Sequence, residues 1–504
     1  MNRRKFMGLA GMAAGTAMLG TKLGYGLRVR WADDPLRPQY HFLPAANWMN
    51  DPNAPVYWKG EYHMFCQYNP HAAIWGDMHW AHAVSPDMVH WQQLPVALAP
   101  TPGGPDADGC FSGTAVIDGD RVGAIYTGVR HVPESEATIR DGKNSYRETQ
   151  LLAWAEDPNL TRWTKVAEPV IATPPAGMDV SGFRDPSPWH GDDGWYMVVG
   201  SGVRGKGGAI LLYRSEDLIH WEYLHELYGG LGSGVAAVNP VDSGDMWECP
   251  EFFALGDRHV LIYSSQGKSW WQVGELDRKA WLFHPETHGV LDYGAFYAPK
   301  TQLDRDGHRI LWGWIQEQRP EAEFSAAGWA GMMSLPRVLT LREDGGLGMR
   351  MAPSVETLRG AKQQLKAGKG AREMLRKLAG MKLTGCCGEV RCRLRRDAAW
   401  SVSLAMTNGR DVVTVGFDAA NPHVLHVNDA LLPLGTAGAI ELAMYVDGSV
   451  VEVLVNDEVA VTIRFYYAGD VAPELGLRMN LGVEALHEAV MWQMLPISRD
   501  RLTS

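Results

Sequence analysis

From about residue 40 to residue 345 the chain breaks into short apolar runs separated by Gly, Pro, Asp and Asn. Val56-Tyr57-Trp58, Tyr62-His63-Met64-Phe65, Gly123-Ala124-Ile125-Tyr126, Trp195-Tyr196-Met197-Val198-Val199, Val260-Leu261-Ile262-Tyr263 and Ile310-Leu311-Trp312-Gly313-Trp314 are typical. Each has the length and the aromatic or β-branched content of a strand, and each is bounded by turn residues. Helical spacing of apolar residues is scarce, so the expected class is all-β. A repeat narrows this further. The segment Trp80 to Trp91 is echoed by Leu212 to Trp221 and, more weakly, by Ala153 to Trp163. The common unit is a strand, a Ser/Glu-x-Asp turn, an apolar residue and a Trp that opens the next strand. Recurrence at intervals of roughly 60–70 residues fits four-stranded propeller blades with long loops, with a sandwich of similar hairpins as the alternative.

The pattern changes after residue 345. Val355 to Leu378 is rich in Lys, Arg and Leu and poor in aromatics, and residues 346–388 read as a connector. Strand signals return in Val450-Val451-Glu452-Val453-Leu454-Val455 and Val459-Ala460-Val461-Thr462-Ile463, whose alternation suits a β-sandwich over residues 389–504. The expected organisation is therefore a propeller over 38–345 and an auxiliary sandwich. At the other end, Asn2-Arg3-Arg4-Lys5-Phe6 leads into an uncharged run to Thr21. That is the pattern of an export signal over residues 1–28. Its paired arginines point to the twin-arginine route and a periplasmic or extracellular destination. The run is too short and too rich in Gly and Ala for a membrane span, which needs about 20 apolar residues.

Composition excludes several functions. With 47 Lys+Arg against 58 Asp+Glu the net charge is −11, and no basic stripe offers itself to nucleic acid. Six Cys in 504 residues do not make a disulfide scaffold. Cys386, Cys387 and Cys392 are read as buried free thiols by default, with a bridge after export as the alternative. There is no P-loop, no dinucleotide fingerprint and no HExxH. His79, His82 and His90 lie close in sequence, yet nothing indicates that they converge on a metal. The 20 Trp stand out, since flat apolar rings suit the faces of sugars, although at least half belong to packing.

The informative acids sit beside Pro or aromatics, where the backbone is stiff. Asp51 lies in Trp48-Met49-Asn50-Asp51-Pro52-Asn53, Asp185 in Phe183-Arg184-Asp185-Pro186, and Glu248 in Met246-Trp247-Glu248-Cys249-Pro250. Glycoside hydrolysis needs one carboxylate to attack or deprotonate and another that donates a proton to the leaving oxygen. Packing against Trp247 would favour the protonated form of Glu248. Taken singly, each of these acids is more often a turn residue.

These three segments, in this order, resemble the signature blocks of glycoside hydrolase family 32, the β-fructofuranosidases. Further matches are Gln67-Tyr68-Asn69-Pro70, Trp75-Gly76, Phe111-Ser112-Gly113, Tyr126-Thr127-Gly128, Phe296-Tyr297-Ala298-Pro299-Lys300 and Trp329 to Arg337. One departure is Ala54, where the first block usually has Gly. The resemblance implies a five-bladed β-propeller followed by a C-terminal β-sandwich, with the active site at one end of the propeller axis. It implies Asp51 as nucleophile, Glu248 as acid and base, and Asp185 with Arg184 as the binders of fructose hydroxyls. Asn50, Gln67, Trp75, Phe111 and Ser112 would line the fructose subsite, with Tyr297 and Trp314 at its rim. No metal or other cofactor is implied. The expected activity is release of fructose from sucrose or from inulin- or levan-type chains. A fructosyltransferase using the same site, or a non-catalytic fructan-binding protein, is the alternative.

Overall fold

The computed structural model describes residues 33–498, apart from 142–143, 230–243, 369 and 436–437. The export signal expected over residues 1–28 lies outside the described residues. The first part of the chain forms five antiparallel sheets. They start with the strands Asn47–Trp58, Gly109–Asp118, Val180–Gly191, Glu248–Leu255 and Phe296–Leu303, and are called blades I to V in that order. These first strands pack against one another in sequence, and the fifth packs back on the first, so they form a closed ring around an axis. The ring is fastened by Trp329–Ala330, which runs parallel to Asn47-Trp48 of blade I after the chain has entered blade V. A strand from the end of the propeller thus completes the sheet at its beginning, and each hairpin is local in sequence, as the short runs require.

The repeat seen in the sequence is a turn. In blade I, Asp87 Oδ1 accepts from the amides of Val89 and His90, its Oδ2 lies 2.7 Å from His90 Nδ1, and Trp91 Nε1 donates to the carbonyl of Met88. Blade III repeats this with Asp217, His220, Trp221 and Leu218, and Trp163 donates to Leu160 in blade II. The apolar residue of each copy is left-handed, with φ of 69° at Met88, 56° at Leu160 and 68° at Leu218. The side chain of the Asp and the indole of the Trp satisfy the backbone groups that this tight corner would otherwise leave unpaired. His90 is therefore a turn residue. His82 meets His63 at 2.9 Å and stacks on Phe65, while His79 bonds the carbonyl of Asp77, so the three His face different partners.

The second domain is two six-stranded sheets packed face to face over an apolar core. Residues 346–388, expected as a connector, are built into both domains instead. Leu347–Met351 is the last strand of blade V, Arg359–Lys366 is an edge strand of the sandwich, and the helix Ala371–Ala379 buries Met374 and Leu378. The cationic composition hid this because an edge strand and a helix packed on one face bury only every second or fourth side chain. No helix among the described residues is long and apolar enough to cross a membrane. All six cysteines are buried free thiols.

The domains meet across a fully buried seam. His41, before blade I, places Nδ1 2.9 Å from Asp447 and Nε2 2.9 Å from Glu452, both on the sandwich. Arg337 of blade V donates to Glu452, to Thr462 and to Asp292, and Leu335 N–H donates to Glu452. Burial opposes a charged His41 ring, but its hydrogen bonds to Asp447 and Glu452 win and lift its pKa to about 9. Burial likewise opposes ionised Glu452, and Arg337 and His41 overcome it, bringing its pKa to about 2.

Candidate active site

The first strand of each blade carries a register shift that holds predicted site residues. The pairing register shifts between Met49 and Pro52, Cys110 and Gly113, Arg184 and Ser187, Glu248 and Glu251, and Tyr297 and Lys300. A bulge of this kind bends a strand and re-aims the side chains within it. Four of the five hold a Pro, namely Pro52, Pro186, Pro250 and Pro299, which has no N–H to leave unpaired on a strand edge. Asp185 (φ 65°), Cys249 (φ 49°) and Ala298 (φ 52°) are left-handed, a conformation costly for side-chain-bearing residues and common where function fixes the backbone. Ala54, where the resemblance expects Gly, is also left-handed at φ 43°, which explains why glycine suits that position.

These bulges bring most of the predicted residues together. Asp51, on blade I, accepts from Ser112 Oγ at 2.6 Å and from Asn50 Nδ2 at 3.0 Å. Gln67 donates to Ser112 at 2.6 Å and accepts from Asn50 at 3.0 Å, closing a small network behind the carboxylate. Trp48 Nε1 fixes Asn50 from the other side at 2.8 Å. Both Asp51 oxygens are thus held by donors, and the group is 1% exposed.

Glu248, on blade IV, has different partners. Arg184 Nη2 donates to its Oε1 at 2.8 Å and Tyr297 Oη to its Oε2 at 2.7 Å. Tyr297, expected at the rim, is buried as a direct partner of this carboxyl group. Trp247 also departs from expectation. Its indole stacks on Tyr263 and Tyr228 and packs against Gly208, among the apolar side chains between blades III and IV. The groups that set the behaviour of Glu248 are therefore polar.

Asp185 joins the two halves. It accepts from Cys249 N–H at 2.9 Å, and the Cys249 thiol lies 3.4 Å from Asp185 and 3.5 Å from Asp51. Its own N–H donates to Thr127, which donates to Gln150. Burial, partly offset by Arg184 and reinforced by Asp51 and Glu248, raises the Asp185 pKa to about 6. Trp75 packs edge-on against Phe111, and Trp314 edge-on against Trp48, giving aromatic walls on two sides. The Trp314 indole N–H has no partner among the described residues.

Three further polar groups were not found from the sequence. Glu148, 0% exposed on the third long strand of blade II, accepts from Arg184 Nη1 at 2.8 Å and from Phe183 N–H. One residue or two beyond the bulges, Lys300 Nζ donates to Glu251 at 3.0 Å and Thr114 at 2.9 Å, and Ser187 donates to Glu251 at 2.8 Å. This buried pair ties blades II, III, IV and V together next to the site. Glu148 and Gln150 alternate along one strand, and that shared face was the only available signal for them.

Known proteins resemble this chain in sequence and fold. The model described as "Glycosyl hydrolases family 32 N-terminal domain" matches residues 41–352, and "Glycosyl hydrolases family 32 C terminal" matches 354–493. A sucrose-6-phosphate hydrolase of Escherichia coli is 34% identical over 483 residues, covering 91% of this chain and 94% of the relative. Among solved structures, a GH32 β-fructofuranosidase of Bombyx mori superposes with a TM-score of 0.75 at 28% identity, over 93% of this chain and 96% of that one. Fructan 1-exohydrolase IIa of Cichorium intybus gives 0.72 at 26% identity, over 92% and 98%. With both halves of the chain matched end to end, this protein belongs to glycoside hydrolase family 32.

Proposed function

We propose that the protein releases terminal fructose from β-fructofuranosides, sucrose or fructans, by double displacement. The observation that carries this reading is the pair of buried carboxyl groups with opposite surroundings: Asp51 held by neutral donors, Glu248 by a guanidinium and a phenol. Asp51 attacks the anomeric carbon while Glu248 gives its proton to the departing oxygen, leaving a fructosyl ester on Asp51. Glu248 then takes a proton from water, whose oxygen attacks the same carbon and frees Asp51. Retention of this kind requires the two carboxyl groups about 5–5.5 Å apart. Asp185 and Arg184 hold fructose hydroxyls, and positive charge developing on the ring is met by the carboxylates around it. Asn50, Gln67 and Ser112 orient Asp51, and Trp75, Phe111 and Trp314 supply apolar faces for the sugar. Related structures hold sucrose and 1-kestose, which supports a carbohydrate in this funnel.

The test is fructose release, followed by chromatography, from sucrose, inulin, levan and sucrose 6-phosphate in parallel. Free fructose from any of them supports hydrolysis, and their ranking gives specificity. Longer oligosaccharides with excess glucose would instead mean transfer, and silence on all four would leave a binding protein. Export by the twin-arginine route is proposed alongside. Fractionation that found the intact chain only in the cytosol would overturn it.

A further inference from the structure

Among the described residues the site brings one guanidinium together with the carboxyl groups of Asp51, Glu148, Asp185 and Glu248, and the guanidinium is divided. Arg184 Nη2 lies 2.8 Å from Glu248 and Nη1 lies 2.8 Å from Glu148. Glu148 is anchored independently of Arg184, because its other oxygen accepts from the Phe183 amide. We infer that Glu148 is a positioning residue for the reaction: it takes half of the Arg184 guanidinium and so weakens that cation's hold on the ionised form of Glu248, which then keeps the proton that the leaving oxygen needs. The inference rests on the acid and base role proposed above for Glu248.

Glu148 and Glu248 compete for one positive charge. A carboxyl group paired with an unshared arginine is held ionised, which is useless in an acid. A second carboxylate on the far side of the same arginine cancels much of that effect and adds its own repulsion. The two like charges face each other across one guanidinium in a site shielded from water, where their repulsion is little screened. The other described groups that face this pair are Asp185 beside Arg184, Tyr146 near its guanidinium, and Tyr297 on Glu248. Asp185 acts in the same direction as Glu148. Tyr297 donates to Glu248 and acts against it. Glu148 touches no reacting atom, and its whole influence passes through Arg184 and through space.

The experiment is the pH dependence of kcat/KM on sucrose for wild type, Glu148→Gln and Glu148→Asp. Loss of the charge in Glu148→Gln should move the alkaline limb down by about one unit or more, with the plateau at lower pH largely kept. Glu148→Asp retains the charge and should restore the limb most of the way. A uniform drop in kcat/KM with an unmoved limb would make Glu148 a structural residue only and overturn the inference. Should the glutamine variant fail to fold, Glu148→Ala leaves room for water at the Phe183 amide and reads the same limb. Glu248→Ala is measured alongside. If it keeps the wild-type alkaline limb, the assignment of Glu248 itself falls, an outcome distinct from failure at Glu148.

Discussion

The molecule buries two clusters of ionisable groups, and they are built on opposite plans. At the seam, His41 and Arg337 face Asp292, Asp447 and Glu452, and every carboxylate also accepts from backbone amides. Asp447 takes those of Gln39, Tyr40 and His41, Glu452 that of Leu335, and Asp292 those of Gly294 and Thr462. In the funnel, Glu148, Glu248 and Asp185 crowd around Arg184, and Asp185, with Asp51 also nearby, is pushed up to about 6. Burial of charge is tolerated when each charge is paired and hydrogen-bonded, as it is at the seam. Among the described residues around Arg184 carboxyl groups outnumber cations, which under the proposed mechanism complements a sugar ring that becomes cationic in the transition state. One cluster joins two domains; the other, under the proposed mechanism, holds its charges ready for catalysis.

The largest expected effect separates the two directly. Asp51→Ala and Glu248→Ala should each lower kcat/KM at least about a thousandfold, while thermal unfolding stays cooperative and near the wild-type temperature. A variant with near-normal turnover would remove that residue from the mechanism. The converse belongs to the seam. Arg337→Met leaves Glu452 and Asp292 buried without their shared cation, and unfolding should become easier by about 3–5 kcal/mol, with kcat changed little in whatever fraction remains folded. Denaturant titration with activity measured in the same samples checks both halves of that statement.

The sequence carried much of this comparison on one side only. Strand-length runs and the Ser-x-Asp turn with its Trp gave the propeller, because both are local patterns. The three carboxylates were legible because each bulge writes itself into the chain as an acid followed at once, or one residue later, by Pro. The seam was not. His41 and Glu452 are 411 positions apart, and nothing local marks them as partners. Glu148 was missed for the same reason, since its meaning depends on Arg184 arriving from another blade. Trp247 misled in the other direction, because proximity in sequence to Glu248 says nothing about which way a side chain leaves a bulged strand.

pH sharpens the contrast. His41 titrates at about 9 in the folded protein against 6.5 when free, so its contribution is complete below about pH 6.5 and is lost as pH rises towards 9. The full contribution is about 3 kcal/mol. Glu452, held at about 2, contributes above its ordinary value of 4.5 and loses that contribution as pH falls towards 2. The seam is thus strongest between about pH 4.5 and 6.5. Urea midpoints measured from pH 6 to pH 9 should fall, and His41→Gln should flatten that slope. An unchanged slope in the variant would place the alkaline loss elsewhere.

The smallest effect is the one with the unusual sign. Asp185 is raised to about 6 in the fold against an ordinary 3.8, so its ionisation costs stability once both states are charged. Below about pH 3.8 the group is neutral in both states and the cost is nil; it grows up to about pH 6 and stays constant above. Asp185→Asn removes the charge and keeps an oxygen to accept the Cys249 amide. Asn also tolerates the left-handed backbone at this position better than most residues. The variant should therefore be more stable than wild type at pH 7, by up to about 2 kcal/mol, and no more stable at pH 3.5. It should also be a much poorer enzyme, because it removes the carboxylate proposed above to hold the hydroxyls of the sugar. Removing a charge at the seam weakens the protein, whereas removing one in the funnel strengthens it at the expense of turnover. Asp185→Asn less stable than wild type at pH 7 would mean that the funnel is compensated like the seam, and the contrast between the two clusters would fail.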